Sequence, residues 1–204
     1  MKTNTCMQTS LSGNVVPMRK ERLNVIPGIW IGGKTYWMNS GFEKHIPEEG
    51  ISVQLKQEHI HSNIRLINVF ITNHEPRSLS VKLLFQHKHV QAANEHISFI
   101  SPSENVIFHL ADGLIYLVNS HSIDRIKGSC SVQPYMNIHS NNIWACSESG
   151  TLKYNPMAKG NAVSLFLLEF QFQGKDTIEG KSWIISSDNE DELLNLNEAL
   201  LKTY

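Results

Sequence analysis

Two His-x-His pairs are the residues in this chain best placed to do chemistry: His59 and His61 in "QEHIHSNIR", and His87 and His89 in "FQHKHVQ". On an extended strand, residues i and i+2 point to one face, so each pair is expected to project two imidazoles together. Two such pairs on neighbouring strands would offer up to four nitrogens to zinc, nickel, copper or iron. The flanking residues argue against it. Metal-binding barrels of the cupin type place a glutamate shortly after His-x-His. Here Ser62, Asn63 and Ile64 follow His61, and Glu95 arrives only after Val90, Gln91, Ala92, Ala93 and Asn94. Resemblance to that superfamily therefore fails at the carboxylate. Both pairs also end apolar runs just before polar loops. The first expectation is solvated strand-end histidines, with a transition-metal site at His59, His61, His87 and His89 as the alternative.

A second candidate is aromatic. Trp30, Tyr36 and Trp37 flank Gly32-Gly33 and could form a stacking platform for a sugar ring, although hairpin aromatics commonly pack into cores. A nucleic-acid platform would need cations to neutralise phosphate. The chain has 18 basic and 19 acidic side chains, a net charge of −1, so nucleic acid and anionic membranes are not expected partners. No nucleophile elbow, phosphate loop, H-E-x-x-H or calcium loop is present, so no residue is assigned a catalytic role.

The elements that must position these side chains read as strands. "GISVQLKQ" alternates apolar and polar residues, the pattern of a half-buried strand. "NIRLINVFITN" is more continuously apolar, as a strand covered on both faces would be. "LSVKLLFQHKHV" returns to alternation, with Val81, Leu83 and Phe85 on its inner row. Asp112-Gly113 in "IFHLADGLIYLV" is a strong signal for a two-residue hairpin. It pairs Ala111 with Leu114, His109 with Tyr116 and Ile107 with Val118. The row Val106, Phe108, Leu110, Ile115 and Leu117 is then the expected core side. "NIWACSESGTLKY" reads as a hairpin turning at Ser149-Gly150, "NAVSLFLLEFQFQG" as a strand, and "GKSWIISS" as the last strand.

The C-terminus changes period. Leu193, Leu196, Leu200 and Tyr204 form one stripe, widened by Leu194 and Leu201, which predicts an amphipathic helix over residues 189–203. Ser187 and Glu190 have capping-box spacing.

Many short strands and one closing helix predict an all-β, mainly antiparallel fold: a β-sandwich or partly open barrel with one C-terminal amphipathic helix. A flexible arm is expected over residues 1–22 and a single domain over 23–204, with 91–95 or 120–128 as fallback boundaries. Cys6, Cys130 and Cys146 form no disulfide framework. No apolar leader or ~18-residue apolar run is present, and the expected compartment is the cytoplasm. The function these features favour is a non-enzymatic binding module, with a protein partner or self-association and no cofactor. A metal-binding protein or metal-dependent enzyme is the alternative, and a carbohydrate-binding sandwich the second alternative.

Overall fold

A computed structural model describes residues 22–91, 95–122 and 128–204. The arm expected over residues 1–22 lies outside them except for Arg22, as do parts of both fallback boundaries.

The strands in chain order are β1 (Leu23–Ile31), β2 (Lys34–Trp37), β3 (Glu43–Ile46), β4 (Ile51–His61), β5 (Ile64–Asn73), β6 (Leu79–His89), β7 (Ile97–Ser101) and β8 (Val106–Ala111). They continue with β9 (Leu114–Ser122), β10 (Ser129–Pro134), β11 (Trp144–Cys146), β12 (Thr151–Leu152), β13 (Met157–Lys159), β14 (Ala162–Phe172) and β15 (Asp176–Ser187). A single 3-10 turn (Pro47–Glu49), a one-turn helix α1 (Met136–His139) and the C-terminal helix α2 (Glu190–Thr203) complete the described chain.

Two antiparallel sheets pack face to face as a β-sandwich. One has five strands in the order β10-β14-β6-β1-β2, the other eight in the order β13-β7-β8-β9-β15-β5-β4-β3. Val81, Leu83, Phe85, Phe166 and Leu168 of the first meet Ile67, Val69, Ile71, Ile107 and Val118 of the second in one apolar cluster. This interior explains the continuous apolar runs of β5 and β14. Each lies inside a sheet and is covered on both sides, so alternation has nothing to mark.

The outer faces are covered too. On the eight-stranded sheet, Leu66, Val106, Phe108, Leu117, Trp183 and Ile185 receive Leu193 and Leu200 of α2. Burying each leucine is worth about 2 kcal/mol. On the five-stranded sheet, Trp30, Leu84, Leu165 and Leu167 receive Ile143, Trp144 and Leu152 from the β11–β12 hairpin region.

The Asp112-Gly113 hairpin forms in the expected register, with Ala111 opposite Leu114, His109 opposite Tyr116 and Ile107 opposite Val118. Both turn residues have positive φ, 52° and 72°, as a primed turn requires. The core side differs from expectation. Val106, Phe108 and Leu117 face α2, whereas Ile107, Tyr116 and Val118 face the sandwich interior. Two layers claim this hairpin, so apolarity alone could not tell the inner row from the outer.

The helix cap also differs. Asn189, not Ser187, is the N-cap: its side chain accepts from the backbone N–H of Asp191 and Glu192. Ser187 still belongs to β15 and donates its hydroxyl to Glu192 Oε2 at 2.5 Å. No described helix is long and apolar enough to cross a membrane.

Candidate metal centre

The two His-x-His pairs do not converge. β4 carries His59 and His61 in the eight-stranded sheet, and β6 carries His87 and His89 in the five-stranded sheet. A register shift between His59 and His61 sets His59 opposite Arg65 and His61 opposite Ile64. Cross-strand partners share a face and neighbours along a strand do not, so this bulge sends the two imidazoles to opposite sides of the sheet. Both are exposed, as solvated strand-end residues would be. His87 and His89 do share a face, but they are buried, at 0% and 4% exposure. The wet-strand expectation thus holds for the first pair and not for the second.

A hydroxyl network holds Nε2 of His87, while its Nδ1 is buried without a hydrogen-bond partner and has no second metal-capable side chain grouped with it among the described residues. Ser182 donates to the Asn119 carbonyl at 3.0 Å and accepts from the Ser120 hydroxyl at 2.9 Å. The His87 Nε2 contact to Ser182 Oγ, 2.9 Å long, must then be a donation by the ring. Burial, then the nearby His109 and Arg65, push its pKa well below the ordinary 6.5. His87 is a neutral core histidine.

His89 has different neighbours. Its last position on β6 places it beside His96, which precedes β7, and Asp112, at the tip of the β8–β9 turn. One donor atom from each of the three lies within 4.8 Å of the others, the sole such group of metal-capable side chains among the described residues. His89 Nε2 stands 3.6 Å from Asp112 Oδ2, and His96 Nε2 stands 3.8 Å from Oδ1. The two rings meet edge to face with centroids 4.4 Å apart. Both histidines are buried, while the Asp112 side chain is 30% exposed.

The tautomer of His89 follows from its other nitrogen. Nδ1 lies 2.7 Å from the Gln91 carbonyl oxygen, which can only accept, so Nδ1 carries the proton. The longer 3.2 Å approach of Gln91 N to the same atom is not a hydrogen bond in that state. Nε2 therefore presents a lone pair toward Asp112 and His96, and it has no hydrogen-bond partner. Burial lowers the pKa of His89. The Gln91 carbonyl opposes the shift, His96 adds to it, Asp112 opposes it and Arg22 adds to it.

Beside this group, His109 spans the interior. Its Nδ1 meets Ser98 Oγ and its Nε2 meets Ser164 Oγ, each at 2.8 Å. Burial first, then His89 and His96, bring its pKa down to about 3. With both ring nitrogens committed to hydroxyls, His109 is held neutral. The space bounded by His89, His96, Ser98 and His109 is too narrow for a water molecule.

The aromatic candidates separate. Trp30 is 6% exposed, packs against Trp144 at 6.4 Å and donates Nε1–H to the Ser147 carbonyl at 3.1 Å. Trp37 pairs with Gly28 and packs in the same outer cluster. Tyr36 sits opposite Ile29, whose side chain is in the interior, and donates its hydroxyl to Glu49 Oε1 at 3.1 Å. Strand alternation thus divides Tyr36 from Trp37, and the three do not form one stacking surface.

Sequence reasoning missed His96 and Asp112 as site residues. Asp112 was legible as a turn residue, and a turn tip at a sheet end is where a carboxylate can reach a neighbouring strand. His96 lies just before a strand and shows no periodic signal.

No known family profile matches the chain, and no curated protein sequence matches it. Among solved structures it is similar to a polysaccharide lyase, at 12% identity and a TM-score of 0.41, covering 84% of this chain and 26% of that one. It is also similar to a heparinase III, at 12% identity and a TM-score of 0.34, covering 70% of this chain and 20% of that one. The chain thus spans about a quarter or less of the length of these proteins, and its sandwich architecture rests on its own strand pairing.

Proposed function

We propose that this chain is a metal-binding β-sandwich module in which His89, His96 and Asp112 hold one late first-row dication such as zinc. The supporting observation is the placement of the His89 lone pair. It is buried, lacks a hydrogen-bond partner and faces the Asp112 carboxylate, whose Oδ1 stands 3.8 Å from His96 Nε2. That gap is too long for a hydrogen bond but suits a shared ion. Donors ~2.0–2.1 Å from zinc at tetrahedral angles stand about 3.4 Å from one another. The Gln91 carbonyl plays the part that outer-shell acceptors play at zinc histidines, fixing the ring's tautomer and orientation.

The role this supports is a cross-link and not turnover. The ion would join the end of β6, the start of β7 and the tip of the β8–β9 turn. It would thereby tie the five-stranded sheet to the eight-stranded one at this end. His109, the adjacent titratable group, is occupied by two serines. Of the four histidines singled out by spacing, only His89 belongs to this set.

Thermal unfolding with and without zinc, after chelator treatment, tests the reading. Zinc at 100 times its Kd should stabilise by about 2.7 kcal/mol, raising the Tm by roughly 5–10 °C for a domain of this size. No shift with zinc, cobalt or nickel would defeat it.

A second reading, self-association or docking of another protein, is supported by an exposed apolar group on a sheet edge. Met157 on edge strand β13 is 58% exposed, and Tyr154 shortly before it is 68% exposed. Sedimentation of the wild type against Met157→Lys tests the self-associating form. A monomer in both cases would count against it.

A further inference from the structure

Arg22 is a cation in direct contact with Asp112, one of the three donors, and strand pairing puts it there. β1 pairs with β6 so that Leu23 lies opposite His89. One residue earlier, the Val90 N–H donates to the Arg22 carbonyl at 2.7 Å and extends the ladder. Arg22 therefore emerges beside the end of β6, and its Nη1 donates to Asp112 Oδ2 at 2.7 Å. The side chain is 47% exposed, yet its backbone is fixed by the same ladder that fixes His89.

A carboxylate can bind a cation through one oxygen or through both. Hard cations such as Ca²⁺, Mg²⁺ and Mn²⁺ prefer many oxygen ligands, and Ca²⁺ sites use two-oxygen carboxylates often. Zinc and cobalt accept two imidazoles and one carboxylate oxygen with few further donors. A charge-assisted hydrogen bond to Oδ2 occupies that oxygen's favourable direction and leaves Oδ1 as the free ligand atom. The guanidinium also opposes any cation that brings no strong nitrogen bonding to offset the repulsion.

We infer that Arg22 is the specificity-determining residue of this site, holding Asp112 to one-oxygen coordination and so favouring zinc and cobalt over calcium, magnesium and manganese. This rests on the proposed metal site. Arg22 acts through Asp112 and is a positioning residue, not a ligand.

The test compares the chelator-stripped wild type with Arg22→Ala. Titration calorimetry gives the Kd for Zn²⁺ and for Mn²⁺, and the visible spectrum of the Co²⁺ form reports coordination number. The wild type should bind zinc, bind manganese weakly and give the intense bands of four-coordinate cobalt. In Arg22→Ala the Mn²⁺/Zn²⁺ Kd ratio should fall on the order of tenfold or more, the scale of outer-shell effects on metal sites. The cobalt bands should weaken as coordination rises. If the wild type binds zinc but Arg22→Ala keeps both the ratio and the spectrum, the role given to Arg22 is wrong and the metal site stands. If the wild type binds neither zinc nor cobalt, the site itself falls, and this inference with it. Circular dichroism checks the fold of the variant, and if Arg22→Ala does not fold, the same two readouts on Arg22→Met, which keeps the aliphatic stem and removes the donor to Oδ2, decide between these outcomes.

Discussion

His109 of β8 and Ser164 of β14 meet across the sandwich, ring nitrogen to hydroxyl at 2.8 Å, and Ser98 of β7 takes the other nitrogen at the same distance. One imidazole thus satisfies a hydroxyl from each sheet in a region closed to solvent. Replacing it with an apolar side chain of similar size, His109→Leu, should strand both serines. Each unsatisfied hydroxyl costs about 1–3 kcal/mol, so urea unfolding at neutral pH should show a loss of about 2–5 kcal/mol. A loss well under about 1 kcal/mol would mean that the bridge contributes nothing.

The same burial makes stability depend on pH. His87 is held well below its ordinary 6.5 and His109 is brought to about 3, both mainly by desolvation. In the unfolded chain both titrate near ~6.5. Above that pH both states are neutral, and these groups add no slope. As pH falls through ~6.5, the unfolded chain takes up protons that the folded chain refuses. Stability is therefore lost, by up to ~1.4 kcal/mol per pH unit for each histidine. The loss continues down to the folded-state pKa values. Unfolding midpoints should be nearly level from about pH 7 to 8 and drop steeply from about 6 to 4. A profile level down to about pH 4.5 would show that these imidazoles are not buried neutral.

The cap of α2 offers a direct comparison of two neighbouring residues. Asn189 accepts from Asp191 N at 2.9 Å and from Glu192 N at 3.3 Å. Asn189→Ala should lower stability by about 1 kcal/mol in urea unfolding. If Asn189→Ala were silent and the loss appeared in Ser187→Ala alone, the capping assignment would be reversed.

Gly150 closes the β11–β12 turn against Trp30. Its φ is 62°, and an added Cβ would stand 2.7 Å from the indole. Gly150→Ala combines backbone strain with overpacking, at a cost of about 1–3 kcal/mol. It should also alter tryptophan fluorescence, because Trp30 and Trp144 share that cluster. Unchanged fluorescence and stability would show that the hairpin does not press on Trp30.

Local chemistry made much of the fold legible. The Asp112-Gly113 turn fixed its register through two residues tolerant of positive φ, and the leucine stripe of α2 announced its buried face. What escaped was which sheet each strand joins. The β4 and β6 histidines look alike in sequence, yet one pair lies on each sheet, and a one-residue bulge turns His59 away from His61. The candidate site escaped for the same reason. Its three residues are one strand-end histidine, one pre-strand histidine and one turn aspartate, which come together only where the end of β6 meets the β7–β8–β9 meander. The short strands β3, β7 and β13 went unread because three to five residues carry too little alternation to stand out.

The most direct measurement is anomalous diffraction at the zinc absorption edge from crystals of zinc-loaded protein. The account predicts one peak, within ~2.0–2.2 Å of His89 Nε2, His96 Nε2 and an Asp112 carboxylate oxygen. A peak at His59 or His61 instead, or no peak at all from saturated protein, would contradict it.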